Sequence, residues 1–527
     1  MASLWGLIVL VGVGCQSNLA YGPMTTPMLP PPNPGYPSVA PTPVQPADPP
    51  VSQVPEITPT SVTAPDPSAV PPVSSDPNAT ASRPQLGDIY GRTAQSADIE
   101  RNPLIVIPGV LGSRLVDNSS QRVVWGEFGG FGIDPSHPDG ARLLALPMSE
   151  GKSLRELTDS VQVQGVLDAL EIRVFGVPFE MSAYRDILVA LGVGGYRESG
   201  GDVNYGATTN NSFQFAYDWR RDNVENAQRL HQFILGKKAE VEAARRKKFG
   251  DSAPPVKFDI VAHSMGGLIA RYYLQYGDAD LPADGSLPPL TWAGAANVDR
   301  VVLVGTPSGG SIDTVENLVK GVVFSQALPR YQAAILGTMP GLYQLLPRSR
   351  HRPVINDSDR RAVDVMDVKT WAYYRWGLLN PAQQSIVQQI LPNVADPGQQ
   401  QRIAYDHVKK CLDRARSFQA ALDIRCHPPQ GTSVHLIAGD AYPTTAQLWV
   451  NRDGHVTPAS RLPGDGKVTR ASALMDERYA EGVKWSPRLI SPINWSSVNF
   501  LFTDHLGLTR DPAFTDNVLY LLLEAPR

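Results

Sequence analysis

Cysteine is scarce in this chain, with three residues among 527, at positions 15, 411 and 426. So few thiols exclude a small fold held together by disulfides, and no redox or metal site follows from them. In an oxidising compartment Cys411 and Cys426 would remain as one pair if Cys15 is modified. The sequence leaves open whether that pair forms a disulfide.

Charge and long apolar runs are also limited. Charged residues make up 19% of the chain, the formal net charge at pH 7 is −4, and no long basic stripe occurs. Composition therefore gives no reason to expect a nucleic-acid partner. The apolar run at residues 4–13 is too short to span a bilayer. With 42% hydrophobic residues, the chain can still build a large core.

The N-terminal run has the length of the apolar part of an export signal, which we predict over residues 1–20. The following GVGCQS resembles a bacterial lipoprotein signal, in which Cys15 would be acylated and anchor the chain in a membrane. Gly12 departs from that pattern, and no Lys or Arg precedes the run. We expect an exported protein of the cell envelope, either anchored or released as a periplasmic or secreted form. The alternative is a misassigned start codon and no signal.

Proline is abundant and unevenly distributed. Twenty of the 48 prolines lie between Pro23 and Pro84, where charges and large apolar residues are few. Such a segment cannot bury enough surface to offset the entropy of ordering it. Residues 21–95 are therefore predicted to form a disordered, extended tether. The alternative is a ligand for a proline-binding module.

The folded part, predicted over residues 96–527, contains short, mostly apolar runs, which is the pattern of buried parallel strands. These runs are PLIVIPG (103–109), VKFDIVAH (256–263), RVVLVGTP (300–307) and SVHLIAGD (433–440). Helical patterns lie between them, at residues 224–250 and 266–276. This alternation predicts an α/β fold with a doubly wound, mostly parallel sheet. Residues 116–200 and 311–430 do not fit it and are predicted as insertions over the sheet, the second mostly helical.

The stretch AHSMG (262–266) places one serine between a predicted buried strand and a predicted helix. It matches the G-x-S-x-G nucleophile elbow, with Ala262 at the first position. Small residues on either side let neighbouring backbone pass close to a strained Ser264. The turn also puts the Met265 N–H at a helix N-terminus, where negative charge is favoured. The alternative is a serine that only caps the helix.

A nucleophilic serine needs a second N–H donor and a base. The glycine turn after the first strand offers the N–H of Val110, or else that of Leu111. Nine histidines are present, and the fold class places the base after the serine in the chain. His505 lies late, after a loop and before a final helix, so we predict it as the base. His263 lies inside the elbow, and its ring is expected to point away from the face of the serine.

Two aspartates are candidates for the acid that orients the base. RDGHV (452–456) and GDGKV (464–468) each offer an aspartate, a glycine turn and a valine that re-enters the core. Local pattern does not choose between Asp453 and Asp465. Either aspartate could equally serve only the turn in which it lies.

Several stretches, in this order along residues 103–510, together resemble the lecithin:cholesterol acyltransferase family. They are VIPGVLGSRL (106–115), FAYDWRRD (215–222), AHSMGG (262–267), MPGLYQLLP (339–347), AGDAYPTT (438–445), GDGKVTRASAL (464–474) and HLGL (505–508). The family includes phospholipid:diacylglycerol acyltransferases and a lysosomal phospholipase with transacylase activity. The resemblance implies an α/β-hydrolase fold with a helical cap or lid.

Carried over by position, the resemblance implies Ser264 as nucleophile, Asp465 as acid and His505 as base. It also implies that the N–H groups of Val110 and Met265 stabilise the oxyanion. It selects Asp465 over Asp453 because only Asp465 is followed by the small residues and leucine of the family motif.

Two features of the resemblance concern the rest of the site. Animal members bridge a lid with a cysteine pair that this chain lacks. The corresponding stretch here is VVWGEFGG (123–130), in which Trp125 and Phe128 could face lipid or belong to the cap core. Asp218 and Arg220 of the YDWR stretch are expected to form a buried charge pair. No cofactor and no metal are implied.

The expected function is a lipid-ester serine hydrolase or O-acyltransferase with a phospholipid-type acyl donor, acting at a membrane surface. One alternative is a general esterase or lipase on small or neutral esters. Another is a catalytically silent binding domain anchored in the envelope.

Overall fold

A computed structural model of the chain describes nine segments of it. These are residues 90–93, 101–128, 132–167, 169–174, 177–182, 185–197, 211–251, 254–323 and 329–526. The predicted export signal, the Cys15 anchor and most of the predicted tether lie outside the described residues. Residues 90–93 form a helical turn in which Tyr90 is buried. The predicted tether, which extends to residue 95, therefore overlaps the folded part.

Strands and helices alternate along most of the chain. The strands are β1 (Leu104–Ile107), β2 (Ser113–Asp117), β3 (Val123–Trp125), β4 (Glu127–Phe128), β5 (Val161–Val166), β6 (Ala169–Val174), β7 (Val177–Ser182), β8 (Ser212–Gln214), β9 (Phe258–His263), β10 (Val298–Val304), β11 (Val354–Asn356), β12 (Ser433–Gly439), β13 (Tyr442–Val450), β14 (Val456–Gly464) and β15 (Ser497–Leu501). The helices are α1 (residues 90–93), α2 (Pro138–Leu144), α3 (Arg185–Val193), α4 (Asn223–Phe249), α5 (Met265–Tyr276), α6 (Ile312–Lys320), α7 (Ala333–Leu336), α8 (Pro340–Tyr343), α9 (Val368–Tyr374), α10 (Gln384–Ile390), α11 (Pro397–Leu422), α12 (Arg470–Leu474) and α13 (Pro512–Leu519).

A six-stranded sheet forms the centre, in the order β15-β12-β10-β9-β1-β8. Every neighbouring pair in it is parallel. The chain starts near one side at β1, adds β8 beyond it, and then builds outward in the other direction from β9 to β15. The predicted α/β-hydrolase class, with a doubly wound parallel sheet, is confirmed. The four predicted strands are β1, β9, β10 and β12, whereas β8 and β15 were not predicted.

Helices cover both faces of the sheet. Alternate residues of each strand point to opposite faces, so each strand contributes apolar side chains to the contacts with helices on both sides. Ile105 and Ile107 of β1 pack into the cluster that contains Leu268 of α5. Leu104 and Val106 pack into the opposite cluster, with apolar residues of α3 and α13. Burial on both faces explains why these strands are mostly apolar.

The two segments predicted as insertions differ in content. Residues 116–200 contain most of two small three-stranded sheets, β3-β2-β5 and β4-β6-β7. Residues 311–430 contain α6 to α11 and the short strand β11. A long hairpin of β13 and β14 pairs with β11 in a third small sheet, which the sequence did not predict. Among the described residues, no helix is both long and apolar enough to cross a bilayer.

The YDWR stretch lies buried where the second insertion meets the sheet domain. Arg220 is fully buried and contacts both carboxylate oxygens of Asp218, at 3.0 and 2.8 Å. It also contacts Asp159 at 2.8 Å, so the predicted buried charge pair is confirmed and extended. Gly341 of the second insertion donates its N–H to the Arg220 carbonyl at 3.1 Å. Removing one partner of such a pair costs about 3–5 kcal/mol, because the other charge stays buried.

The structure answers two questions that the sequence left open, the place of Trp125 and the state of the two late cysteines. Trp125 is buried and packs edge-on against Trp219 and Tyr331, with ring centroids 5.5 and 5.7 Å apart. It therefore belongs to the core, and the side chain of Phe128 lies outside the described residues. Cys411 and Cys426 are both free thiols in this structure.

Candidate active site

Ser264 occupies the sharp turn between β9 and α5. Its φ of 51° and ψ of −123° lie outside the regions that an L-residue with a side chain ordinarily adopts. Such strain persists only where the surrounding structure enforces it, and it is common at functional sites. The Ser264 N–H donates to the Val304 carbonyl of β10 at 2.8 Å, which holds the turn at the edge of the sheet.

Two glycines after the serine are required by close packing. A Cβ atom at Gly266 would lie 2.3 Å from the carbonyl oxygen of Pro108, in the turn after β1. A Cβ at Gly267 would lie 2.0 Å from Oγ1 of Thr306, in the turn after β10. The elbow therefore sits wedged between two neighbouring turns. The sequence predicted the need for a small residue at 266 but not the one at 267.

Three predicted site residues, distant in sequence, meet at this edge of the sheet. Nε2 of His505 lies 3.1 Å from Oγ of Ser264, and Nδ1 of His505 lies 2.7 Å from Oδ2 of Asp465. Ser264 follows β9, Asp465 follows β14, and His505 follows β15. The arrangement has the geometry of a nucleophile, a base that can accept its proton, and a group that orients the base.

Asp465 is held from both sides. Its Oδ1 accepts the N–H groups of Lys467 and Val468 at 2.9 and 2.7 Å, which leaves Oδ2 for His505. Burial alone would raise the pKa of this carboxyl. The charge and hydrogen bond of His505, with the two N–H donors, outweigh burial and lower the pKa below its usual value. Asp465 therefore stays ionised at neutral pH.

The imidazole of His505 also has neighbours that the sequence did not indicate. Nε2 of His263 lies 3.3 Å from the His505 carbonyl, and the two rings are 4.9 Å apart. Burial, and next the proximity of His505, lower the pKa of His263 to about 3, so His263 is neutral at physiological pH. A Cβ atom at Gly305 would lie 3.2 Å from the His505 ring. His505 is thus hydrogen-bonded to Asp465 and packs closely against His263 and Gly305.

The two predicted oxyanion donors lie in the turns on either side of the serine. Val110 is in the turn after β1, and Met265 is the first residue of α5. Within the part of the chain described, neither N–H donates a hydrogen bond to another protein group. The turn after β1 is held by the Tyr217 hydroxyl, which donates to the Pro108 carbonyl at 2.9 Å. Trp125 Nε1 donates to the Leu111 carbonyl at 2.7 Å, which fixes the other end of the turn.

The rival acid, Asp453, lies far from these residues. It is exposed in the turn that joins β13 to β14, whereas Asp465 follows the other end of β14. The nine residues of β14 span about 30 Å. The structure therefore brings Asp465, and not Asp453, to His505. Within the described ranges, no group of three His, Cys, Asp or Glu side chains could hold a metal ion.

A comparison with known protein families finds a match for part of the chain. Residues 202–367 match the lecithin:cholesterol acyltransferase family. This segment contains the YDWR stretch, the serine elbow and the MPGLYQLLP stretch. The resemblance predicted from the sequence is therefore confirmed. A separate comparison with curated proteins gives no match.

Several solved structures resemble the chain weakly. The crystal structure of the Tle4-Tli4 complex contains a chain with 16% identity and a TM-score of 0.48, over 81% of this chain and 99% of that one. Phospholipase PlaB from Legionella pneumophila has 13% identity and a TM-score of 0.27, over 62% and 54%. EstA from Clostridium botulinum has 13% identity and a TM-score of 0.29, over 81% and 88%. Likenesses this weak establish no shared activity.

Proposed function

We propose that this protein is a lipid-ester serine hydrolase or O-acyltransferase that works through an acyl-Ser264 intermediate. The observation that supports the proposal most is the continuous contact from Ser264 Oγ through His505 to Asp465, at 3.1 and 2.7 Å. The match of residues 202–367 to an acyltransferase family points in the same direction.

In the proposed reaction, His505 Nε2 takes the proton of the Ser264 hydroxyl as Oγ attacks an ester carbonyl. Ionised Asp465 holds the proton on Nδ1 and stabilises the imidazolium that forms. The tetrahedral oxyanion sits between the N–H groups of Val110 and Met265. Each such donor is worth about 2.7–4 kcal/mol at the transition state.

The reaction is then completed in two stages, the formation and the breakdown of the acyl-Ser264 ester. The imidazolium of His505 gives its proton to the departing alkoxide, which leaves as an alcohol and produces the acyl-Ser264 ester. His505 next deprotonates an acceptor that attacks this ester. The second tetrahedral intermediate collapses as the bond between the acyl carbon and Ser264 Oγ breaks, and His505 returns the proton to Oγ. Water as acceptor yields a free fatty acid, and an alcohol yields a new ester. The triad serves both outcomes, so the choice depends on access of water to the acyl-enzyme.

For the acyl donor we propose a phospholipid, because phospholipids serve the family that the chain resembles. A general esterase or lipase on small or neutral esters uses the same three residues and remains the alternative. The other alternative is a silent binding domain, which would leave a strained serine and an oriented base without a role.

Product analysis tests the function directly. The full chain is incubated with phosphatidylcholine vesicles and a long-chain alcohol, beside the Ser264→Ala variant. We expect free fatty acid, with or without alkyl ester, from the wild type and neither from the variant. Turnover of soluble short-chain esters but not of vesicles would favour the general esterase. No reaction with any ester would support the silent domain.

We also propose that the protein is exported and that Cys15 is acylated at the membrane. The sequence GVGCQS supports this proposal. Metabolic labelling with radioactive palmitate is expected to mark the wild type and not Cys15→Ser. Equal labelling of both proteins would contradict the anchor.

A further inference from the structure

Large apolar side chains project into solvent beside the acid and the base. Phe502, three residues before His505, is 85% exposed and is the most exposed large hydrophobic residue that the structure describes. Leu506, the residue after His505, is 50% exposed. Tyr442, which pairs with Asp465 in an isolated bridge, is 46% exposed. We call Tyr442, Phe502 and Leu506 the apolar collar.

The backbone that carries the collar is held firmly. His505 donates its N–H to the Asp465 carbonyl at 2.9 Å, and Asp504 Oδ1 accepts the N–H groups of Leu506 and Gly507 at 3.1 and 2.9 Å. A Cβ atom at Gly439 would lie 2.7 Å from the Thr503 carbonyl, so the loop also packs tightly against the end of β12. Because these contacts leave the loop little freedom to fold inward, Phe502 and Leu506 stay in solvent.

The cations closest to the collar in the chain are paired with carboxylates, and the exposed Asp504, between Phe502 and Leu506, forms no ion pair among the described residues. Arg470 pairs with Asp440, two residues before Tyr442, and lies over the Phe500 ring at 3.6 Å. Lys467, two residues after Asp465, pairs with Asp313 at 2.7 Å. The surface around the collar therefore has no excess of positive charge to attract an anionic lipid. Exposed aromatic and aliphatic groups with no surplus of cations around them fit a zwitterionic lipid surface rather than an anionic one.

We propose that the apolar collar docks the protein on zwitterionic lipid and so places the Ser264 site at the membrane surface. The inference rests on the proposed function, because it supplies the approach of a lipid ester to a site whose serine is 7% exposed. Insertion of Phe502 and Leu506 removes their apolar surface from water. Full burial of one such side chain is worth about tenfold or more in partition.

Vesicle binding by the double variant Phe502→Ser/Leu506→Ser tests the collar. Both proteins are full-length and carry Cys15→Ala, so that an acyl group at Cys15 cannot hold them on lipid. Sedimentation with phosphatidylcholine vesicles is expected to show partition lowered by about tenfold or more. Hydrolysis of soluble 4-nitrophenyl butyrate is expected to stay within about twofold. Tyr373→Ser serves as the matched control, because this residue on α9 is 73% exposed and lies outside the collar.

Each other outcome overturns the inference. Unchanged vesicle partition means that the collar does not dock on lipid. An equal loss with the soluble ester means that the substitutions disturb His505, and an equal loss in Tyr373→Ser means that the effect is not local. Binding that requires phosphatidylglycerol excludes a zwitterionic target, and a dimer that dissociates in the double variant identifies a second copy as the partner. Sedimentation needs no catalysis, so failure of the proposed function, seen as no ester turnover in the wild type, is distinguished from failure of the collar.

Discussion

Replacing Ser264 with alanine is expected to lower kcat for a soluble ester by about 10⁴- to 10⁶-fold, which is the scale of losing a serine nucleophile. Oγ of Ser264 is the atom that His505 Nε2 meets, and in the proposed reaction it forms the acyl bond. Labelling by a fluorophosphonate probe should be lost in parallel, since that reagent reacts with an activated serine. Circular dichroism should be unchanged, because alanine adds no bulk to the turn.

Ser308→Ala is the matched control for this prediction. Ser308 is buried in the loop after β10, and its hydroxyl lacks a hydrogen-bond partner among the described residues. Its removal should therefore cost little stability and leave labelling intact. Persistent labelling of Ser264→Ala would show that the nucleophile lies elsewhere and would refute the proposed mechanism.

Asp465→Asn is expected to lower kcat by about 10⁴-fold while the protein stays folded. Oδ1 of Asp465 accepts two backbone N–H groups, so the asparagine carbonyl oxygen should take that position. The asparagine NH₂ group would then face Nδ1 of His505. It would favour the tautomer with the proton on Nε2, which cannot accept the proton of Ser264. The substitution also removes the charge that stabilises the imidazolium.

Asp453→Asn provides the comparison, because sequence pattern alone treats the two aspartates alike. This exposed turn residue should lose less than about twofold in kcat, given its distance from His505 along the hairpin. Steady-state kinetics of the two variants on one soluble ester decide between them. A loss confined to Asp453→Asn would reverse the assignment of the acid.

The central strands and the serine elbow were predictable because their signals are local. A parallel strand that is buried on both faces is mostly apolar, and β1, β9, β10 and β12 have this pattern despite a few polar residues such as Asp259 and His435. The elbow needs small residues close to the serine, which a pentapeptide can show. In contrast, β8 and β15 lie at the two edges of the sheet, with three and five residues, and carry a weaker signal.

The choice of the acid could not be made locally. Asp453 and Asp465 have the same Asp-Gly turn, and only the family resemblance separated them before the structure was known. The structure separates them physically, because they follow opposite ends of β14. Likewise, Gly267 and His263 have roles that depend on Thr306 and His505, which approach them from distant parts of the chain.

The amino-acid order by itself determined the class of fold, the turn that carries Ser264 and the late position of His505, since each depends on neighbours a few residues apart. Only the tertiary structure decided that Asp465 reaches His505, that Gly305 and His263 pack against the ring, and that Phe502 and Leu506 stay in solvent beside it. Those contacts join strand ends up to 242 residues apart, and parallel crossovers bring such ends to one edge of the sheet.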